Sequence, residues 1–149
     1  MIKIMFVCHG NICRSTMAEF VLKDMVKKLG ISEEFYIASS ATSREEIGNP
    51  VHHGTRKILK EHGISCDGKV AVQLTKKDYE TYDYIIPMDT MNVRNIHHII
   101  GNDSLGKVKK LLDFADGGDI ADPWYTGDFQ VTYRDVMTGC EALLKYLGK

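Results

Sequence analysis

Apolar and polar residues form two alternating patterns along this 149-residue chain, one typical of buried strands and one typical of amphipathic helices. The segment from Ile2 to Val7 is apolar at nearly every position, as expected of a strand buried in a parallel sheet. From Ser15 to Leu29, apolar residues recur three and four positions apart, which predicts a helix that ends at Gly30. The chain is therefore predicted to start with a βα unit.

The same alternation continues to the C-terminus. Three more strands are predicted from apolar runs, at residues 35–40, 83–88 and 108–114. Further helices are predicted from Val51 to His62, at 75–82 with Thr75 as N-cap, after the capping residue Asp89, and from Phe129 to Leu147. Strands separated by helices favour an α/β fold in three layers, in which a four-stranded parallel sheet is flanked by helices within a single domain, residues 1–149.

Composition and net charge limit the kinds of partner that this chain is expected to bind. Hydrophobic residues make up 44% of the chain and charged residues 26%, and the formal net charge is −1. A chain so close to neutral has no overall field that attracts nucleic acid or an acidic membrane. No apolar stretch is long enough to cross a bilayer, and the N-terminal apolar run is too short for a signal peptide. We therefore expect a cytoplasmic protein with neither nucleic-acid nor membrane partners.

The four cysteines do not form a recognisable metal or disulfide pattern. Cys8 and Cys13 are five positions apart and lack the matching second pair that a structural zinc site needs. A chain of this size does not require disulfides for stability. Cys66 and Cys140 are interpreted as ordinary thiols, and no metal site is expected.

The turn after the first strand, "CHGNICRST", has the composition of an anion site. Gly10 allows a tight turn with uncovered amides, and the helix that follows points its N-terminus at the same place. Arg14 adds a planar fork of donors that suits phosphate, and this positive environment favours the thiolate of Cys8 as a nucleophile. Ser15 is placed to donate a hydrogen bond to that thiolate. The alternative is that Cys8 is a small buried residue at a strand end.

A second segment, "DPWY", follows the last predicted strand at the same edge of the sheet. Asp122 is a candidate general acid for protonating a leaving group, and Trp124 and Tyr125 are candidate walls for a flat substrate. An ordinary Asp-Pro surface turn explains the segment equally well. Three other carboxylates are close enough in sequence to compete for the acid role: Asp116, Asp119 and Asp128.

The histidines give weaker signals. His52 with His53, and His97 with His98, are adjacent pairs whose members do not share a helix face, so we interpret them as solvated rather than as metal ligands. His9 belongs either to the rim of a pocket or to the open surface.

Together these segments resemble the low-molecular-weight protein tyrosine phosphatases. "VCHGNICRS" is similar to the phosphate loop of that family, "ATSREEIGNP" to its substrate-side loop, "MDTMN" to its M-D-x-x-N segment and "DPWY" to its general-acid loop. The four segments have the order and spacing of the family over essentially the whole chain. The resemblance implies a four-stranded parallel sheet with a phosphate-binding loop after the first strand, and neither metal nor cofactor.

The resemblance also implies the roles of individual residues. Cys8 would be the nucleophile, Arg14 the phosphate clamp and Asp122 the acid. Cys13 matches a second loop cysteine, which in the family forms a reversible disulfide with the nucleophile. Asn11 would hold the loop geometry. The residues expected to contact phosphate or substrate are His9, Gly10, Asn11, Ile12, Cys13, Ser15, Trp124 and Tyr125.

Three positions depart from the family pattern. Thr16 replaces a proline that is pre-set for the first helical turn. Glu45 stands where relatives often carry an aromatic residue, and it is expected to disfavour acidic sequences that flank the phosphorylated residue. Val72 stands where many relatives have an arginine, which predicts that a buried polar network there is missing.

The expected reaction is hydrolysis of phosphotyrosine in proteins through a phosphocysteine on Cys8, with inorganic phosphate or other oxyanions as ligands of the loop. The nearest alternative is a protein arginine phosphatase, in which the position of Ile12 tends to be threonine. A thioredoxin-coupled arsenate reductase would need distal cysteines, which 82–89 lacks. A non-hydrolytic phosphocysteine carrier would lack Arg14 and Asp122, and nothing favours a non-catalytic phosphoprotein-binding domain.

Overall fold

The computed structural model describes all 149 residues and has a parallel sheet at its centre. Three strands form it, β1 (Ile2–Cys8), β2 (Phe35–Ala41) and β3 (Tyr84–Pro87), in the order β2-β1-β3. β1 pairs in parallel with both neighbours. All three strands therefore end at the same edge of the sheet, where β1 passes into the predicted phosphate loop.

The prediction of a fourth strand at 108–114 is wrong. Only Val108 pairs with β3, in a single parallel bridge to Ile85. The chain then turns into a 3₁₀ helix, Leu111–Phe114. The side chain of Leu111 is fully buried against Gly139, where an added Cβ would lie 2.4 Å from the Leu111 Cγ. Apolar residues at 111–114 thus serve packing against a helix rather than pairing in a sheet.

Six α-helices surround the sheet, and their bounds largely follow the predicted ones. They are α1 (Arg14–Lys28), α2 (His53–Glu61), α3 (Lys76–Thr81), α4 (Thr90–Ile100), α5 (Pro123–Thr126) and α6 (Phe129–Tyr146). Both predicted N-caps form capping boxes, Thr75 with Asp78 at α3 and Asp89 with Asn92 at α4. The short α5 was not predicted, because its four residues are too few to show helical periodicity.

Alternate residues of β1 enter two separate cores, which makes the molecule three-layered. Ile4 and Phe6 pack with α1, α2 and α6 on one face of the sheet. Met5 and Val7 pack with α3 and α4 on the other face. This alternation confirms a parallel sheet with helices on both sides, and it packs β1 between two cores where its C-terminal end meets the turn. No helix is both long enough and apolar enough to span a bilayer.

Candidate active site

The loop between β1 and α1 presents backbone donors to the end of the sheet. Asn11 is the only non-glycine residue with a positive φ, 59°, and this left-handed conformation turns the chain sharply. The amides of Gly10, Ile12, Cys13 and Arg14 donate no hydrogen bond within the protein. Because α1 begins at Arg14 without a side-chain cap, its first amides and its positive end face the same spot. The loop is a concave set of unpaired donors that suits an oxyanion.

The Cys8 thiol lies in this loop and is buried, with 3% of the residue exposed. The amide of Asn11 donates to its Sγ at 3.3 Å, and the Ser15 hydroxyl lies 3.0 Å from the same atom. Asn11 Nδ2 donates to the Ser15 Oγ at 2.8 Å, so the serine hydrogen is free to point at the sulfur. Both groups are placed to donate a hydrogen bond to this one sulfur.

A buried network extends from Asn11 into the sheet. Asn11 Nδ2 also donates to the Ser39 Oγ at 2.9 Å, and that hydroxyl donates to Glu19 at 2.5 Å. The carboxylate of Glu19 is held by Lys23 at 2.5 Å and lies 3.8 Å from Lys69. Burial lowers the pKa of Lys69, and the Glu19 charge opposes that change.

This network corrects one expectation and adds residues that the sequence did not indicate. The polar network near Val72 is present, because the Val72 amide donates to Asn11 Oδ1 at 3.2 Å while its side chain stays exposed. Lys69 also reaches the Ser39 carbonyl at 2.9 Å. No local motif identified Glu19, Ser39 or Lys69. A buried glutamate on the inner face of α1 was the available signal.

Arg14 is fixed in position by three acceptors from two parts of the chain. Its Nη1 donates to Asp89 at 2.6 Å and to the Ile120 carbonyl at 3.0 Å, and its Nη2 lies 3.4 Å from Asp122. Burial alone would lower the pKa of Arg14, but the Cys8 thiolate and the two carboxylates outweigh it and raise the pKa above the usual value. Asp89 was predicted only as a helix cap, so its contact with the guanidinium is new.

Asp122 lies at the mouth of the loop and is the N-cap of α5. Its Oδ1 accepts from the Trp124 amide at 3.0 Å, which leaves Oδ2 directed towards Arg14. The three competing carboxylates do not line the pocket. Asp119 binds Lys110 at 2.8 Å and the Thr90 amide at 3.2 Å, Asp128 caps α6, and Asp116 is exposed.

These residues enclose a pocket of about 120 Å³. Nine of the predicted residues line it, while Asn11 and Ser15 support it from behind, and Glu45 and Glu46 complete it. Its lining is Cys8, His9, Gly10, Ile12, Cys13, Arg14, Glu45, Glu46, Asp122, Trp124 and Tyr125. Trp124 and Tyr125 are 58% and 84% exposed, so they form the outer walls rather than the floor.

The rim carries both a histidine and carboxylates. His9 Nε2 lies 3.0 Å from Glu45 Oε2, which places His9 at the pocket rim. An added Cβ on Gly10 would lie 3.3 Å from the Glu46 Cγ, so a glycine lets the substrate-side loop close over the turn.

Cys13 differs from Cys8 in its surroundings. It is buried, and burial, together with the charges of Cys8 and Asp122, raises the pKa of the Cys13 thiol to about 12. Its thiol is therefore protonated at neutral pH. All four cysteines are free thiols in this structure.

His52 was interpreted as a solvated helix residue, and that interpretation is wrong. It is the N-cap of α2 and half-buried, and its Nδ1 accepts from the Gly54 amide at 3.0 Å. Its ring lies edge-on to Trp124 at 5.6 Å and stacks on Phe129 at 5.2 Å. Burial lowers the pKa of His52, as do the neighbouring His53 and Arg56. The residue supports the wall that Trp124 forms.

Known proteins share this fold over nearly the whole chain. The sequence profile described as "Low molecular weight phosphotyrosine protein phosphatase" matches residues 3–149. The low molecular weight protein-tyrosine-phosphatase YfkJ of Bacillus subtilis is 41% identical over 152 residues, which cover 100% of this chain and 97% of that protein. Its crystal structure superposes with a TM-score of 0.94 over 99% of this chain and 95% of that one.

Two further solved structures are similar to this fold. The low molecular weight protein tyrosine phosphatase SP-PTP of Streptococcus pyogenes is 44% identical, with a TM-score of 0.90 over 99% of this chain and 93% of that one. A Drosophila arginine phosphatase is 25% identical, with a TM-score of 0.90 over 99% of this chain and 99% of that one.

A three-layer α/β fold with a thiol and an arginine in a turn of free amides suits a phosphate ester as ligand, and the matched proteins are phosphatases. The chain belongs to the low molecular weight phosphotyrosine protein phosphatase family. It is a phosphatase enzyme.

Proposed function

We propose that the protein hydrolyses phosphotyrosine in proteins through a phosphocysteine on Cys8. The observation that carries this proposal is the Cys8 sulfur, which accepts the Asn11 amide at 3.3 Å inside a loop of unpaired donors. Arg14, held by Asp89 and Asp122, faces the same pocket. A nucleophile and an oxyanion site therefore share one centre.

The phosphate of the substrate binds first. Its equatorial oxygens accept hydrogen bonds from the free loop amides and from the guanidinium of Arg14, which replace the water lost on entry. Asp89 Oδ2 lies 2.6 Å from Arg14 Nη1 and holds the guanidinium in place, so Arg14 is already oriented when the phosphate binds. Inorganic phosphate and other oxyanions are expected to bind there too.

The first chemical step transfers the phosphoryl group to sulfur. The Cys8 thiolate attacks phosphorus in line, an S–P bond forms, and the bond from phosphorus to the phenolic oxygen breaks. Asp122 supplies its proton to that oxygen, so tyrosine leaves neutral. The Ser15 hydroxyl, 3.0 Å from the sulfur, stabilises the thiolate before attack and again when it later leaves.

The second step hydrolyses the phosphocysteine. Asp122, now ionised, accepts a proton from water, and the hydroxide attacks phosphorus as the S–P bond breaks. Phosphate leaves with the oxygen of that water, and the Cys8 thiolate is restored.

The pocket suits a long aromatic side chain. A phosphoserine is too short to reach buried Cys8 beneath walls made by Trp124 and Tyr125. A tyrosine ring packs on these walls, and aromatic pairs contribute ~0.5–1.5 kcal/mol beyond burial. Ile12 offers an apolar contact and no hydrogen bond to the guanidinium of a phosphoarginine, so we expect phosphotyrosine to be preferred.

The test is an assay against phosphotyrosine peptides, an aryl phosphate and phosphoarginine, with a chelator present. Cys8→Ser should abolish turnover while phosphate still binds, because no general base adjoins residue 8 to activate a serine. Ile12→Thr should raise kcat/KM for phosphoarginine relative to phosphotyrosine. A carrier or binding module would show no turnover in the unmodified protein, and a preference for phosphoarginine would overturn the substrate assignment.

A further inference from the structure

Helix α2 carries a basic stripe that the reaction does not use. Arg56, Lys57 and Lys60 are exposed, and with His53 they recur at the spacing of a single helix face. They line a groove of about 650 Å³ with one carboxylate, Asp67. We call these three cations the α2 stripe.

The cations of the α2 stripe have no ionic partner. The eight ion pairs of the structure include none of the three. This concentration of free positive charge occurs in a chain whose net charge is −1. An unpaired local field of this kind favours binding of an acidic partner.

The stripe starts beside the active site. The His52 amide donates to the Ile12 carbonyl at 2.9 Å, and the Thr55 hydroxyl donates to the Cys13 carbonyl at 3.3 Å. These bonds fix the first turn of α2 to the phosphate loop. From His53 to Lys60 the helix rises ~10 Å, a length that about three residues of an extended peptide would cover.

We propose that the α2 stripe binds an acidic segment of the phosphoprotein substrate, an inference that rests on the proposed function. Carboxylates next to the phosphotyrosine would face Glu45 and Glu46 in the pocket and be repelled. Carboxylates farther along the peptide would reach the stripe instead. The hydrophobic residues of the groove are the partly buried Ile64 and the buried Cys66, so the face lacks the exposed anchors that a membrane surface would require.

The experiment compares three phosphotyrosine peptides. Two carry three glutamates about three to five residues away, on the N-terminal or the C-terminal side, and the third carries glutamines at all of those positions. We expect one acidic peptide to have a kcat/KM about tenfold above the glutamine peptide at low salt, with the advantage falling as salt is raised.

The test variant is Arg56→Gln/Lys57→Gln/Lys60→Gln, which changes only exposed side chains. Its matched control, Lys27→Gln/Lys76→Gln/Lys77→Gln, removes the same charge from exposed, unpaired lysines elsewhere. The test variant should lose the preference for the acidic peptide, and the control should keep it. Both should hydrolyse an aryl phosphate as the unmodified protein does.

Several results would overturn the inference. They are an equal kcat/KM for all three peptides, a preference that survives in the test variant, and a preference that falls equally in the control. Stripe-dependent sedimentation with equimolar phosphatidylcholine–phosphatidylserine vesicles, without any peptide effect, would indicate a membrane partner instead.

A binding measurement tests this inference independently of the proposed function. Calorimetric titration of Cys8→Ser with the three peptides measures the stripe without turnover. If the unmodified protein hydrolysed none of them, the proposed function would fail, while the affinities would still decide whether the stripe selects acidic segments.

Discussion

Two aspartates in one loop have different partners, and their substitution separates the general acid from its neighbours. Asp122→Asn should lower kcat for phosphotyrosine by ~10²–10⁴, because an amide cannot supply the proton that the phenolic oxygen needs. Asp119→Asn should lower it much less, since Asp119 binds Lys110 and Thr90 outside the pocket. Steady-state kinetics of both variants provide the measurement.

The leaving group gives a control within the same experiment. An ester whose leaving group departs without a proton should be much less affected by Asp122→Asn. If Asp119→Asn were the crippling change, the assignment of the acid would be wrong.

We infer that Lys69 is a positioning residue, since it reaches Cys8, the proposed nucleophile, only through Glu19, Ser39 and Asn11. Lys69→Met should destabilise the protein by about 1–3 kcal/mol, because it removes a partner of the buried Glu19 and of the Ser39 carbonyl. It should also lower kcat for phosphotyrosine more than it changes KM, because the Cys8 thiolate loses its fixed donors. Urea unfolding and steady-state kinetics measure the two effects.

Lys23 is the matched control. It binds the same carboxylate but is 44% exposed and lies one helical turn from Glu19, so Lys23→Met should cost only about 0.3–0.5 kcal/mol. Equal losses of stability and of kcat in the two variants would contradict the role given to Lys69.

At the scale of residues, contacts between neighbours in the sequence could be predicted, and contacts between residues far apart in the chain could not. Cys8, Gly10 and Arg14 could be predicted to lie together because one short turn contains all three, and all three line the pocket. The contact of Arg14 with Asp89 joins residues 75 positions apart, and no local pattern contains it. Glu19, Ser39 and Lys69 were missed for the same reason. The prediction for His52 was wrong because it assumed a position inside the helix. As the N-cap of α2, His52 instead directs its ring towards Trp124 and Phe129.

At the scale of elements, the packing of the Leu111–Phe114 segment on α6 is the feature most open to test. Gly139→Ala should destabilise the protein by about 1–3 kcal/mol, because the new Cβ would lie 2.4 Å from the Leu111 Cγ in a filled core. Urea unfolding gives the value. Thr138→Ala, an exposed neighbour on the same helix, is the control and should change little.

A Gly139→Ala protein as stable as the unmodified one would show that Leu111 does not pack on α6 as described. The same contact explains why the fourth strand was wrongly predicted. The apolar residues Leu111, Leu112 and Phe114 are compatible with either a strand or a short 3₁₀ helix. The packing of Leu111 against Gly139, which is distant in sequence, favours the 3₁₀ helix. The longer helices α1 and α6 were predicted well, since their periodicity extends over several turns.

At the scale of the whole molecule, buried thiols and phenols should make the protein sensitive to alkali. Burial raises the pKa of Cys13 and of Tyr82 to about 12, and it raises the pKa of Cys140 and Cys66 as well. Above the ordinary thiol pKa of 9.0, the unfolded chain releases protons that the folded chain retains. The free energy of unfolding should therefore fall as pH rises from about 9 towards 12.

Urea unfolding across this range measures the slope. Cys13→Ala removes one of the responsible groups, so its stability should fall less steeply with pH than that of the unmodified protein. A free energy of unfolding that stays constant or rises above pH 9, or a slope unchanged in Cys13→Ala, would contradict the burial assigned to these groups.

The central claim is that Cys8 becomes phosphorylated during turnover, and rapid quenching tests it most directly. Asp122→Asn should slow hydrolysis of the intermediate, because the base that activates water is lost. Mixing this variant with a radiolabelled aryl phosphate whose leaving group departs without a proton keeps the first step fast. Quenching the mixture and mapping the label by mass spectrometry should place one phosphate on Cys8, with no label in Asp122→Asn/Cys8→Ser. Label on another residue, or phenol released without any labelled protein, would contradict the account.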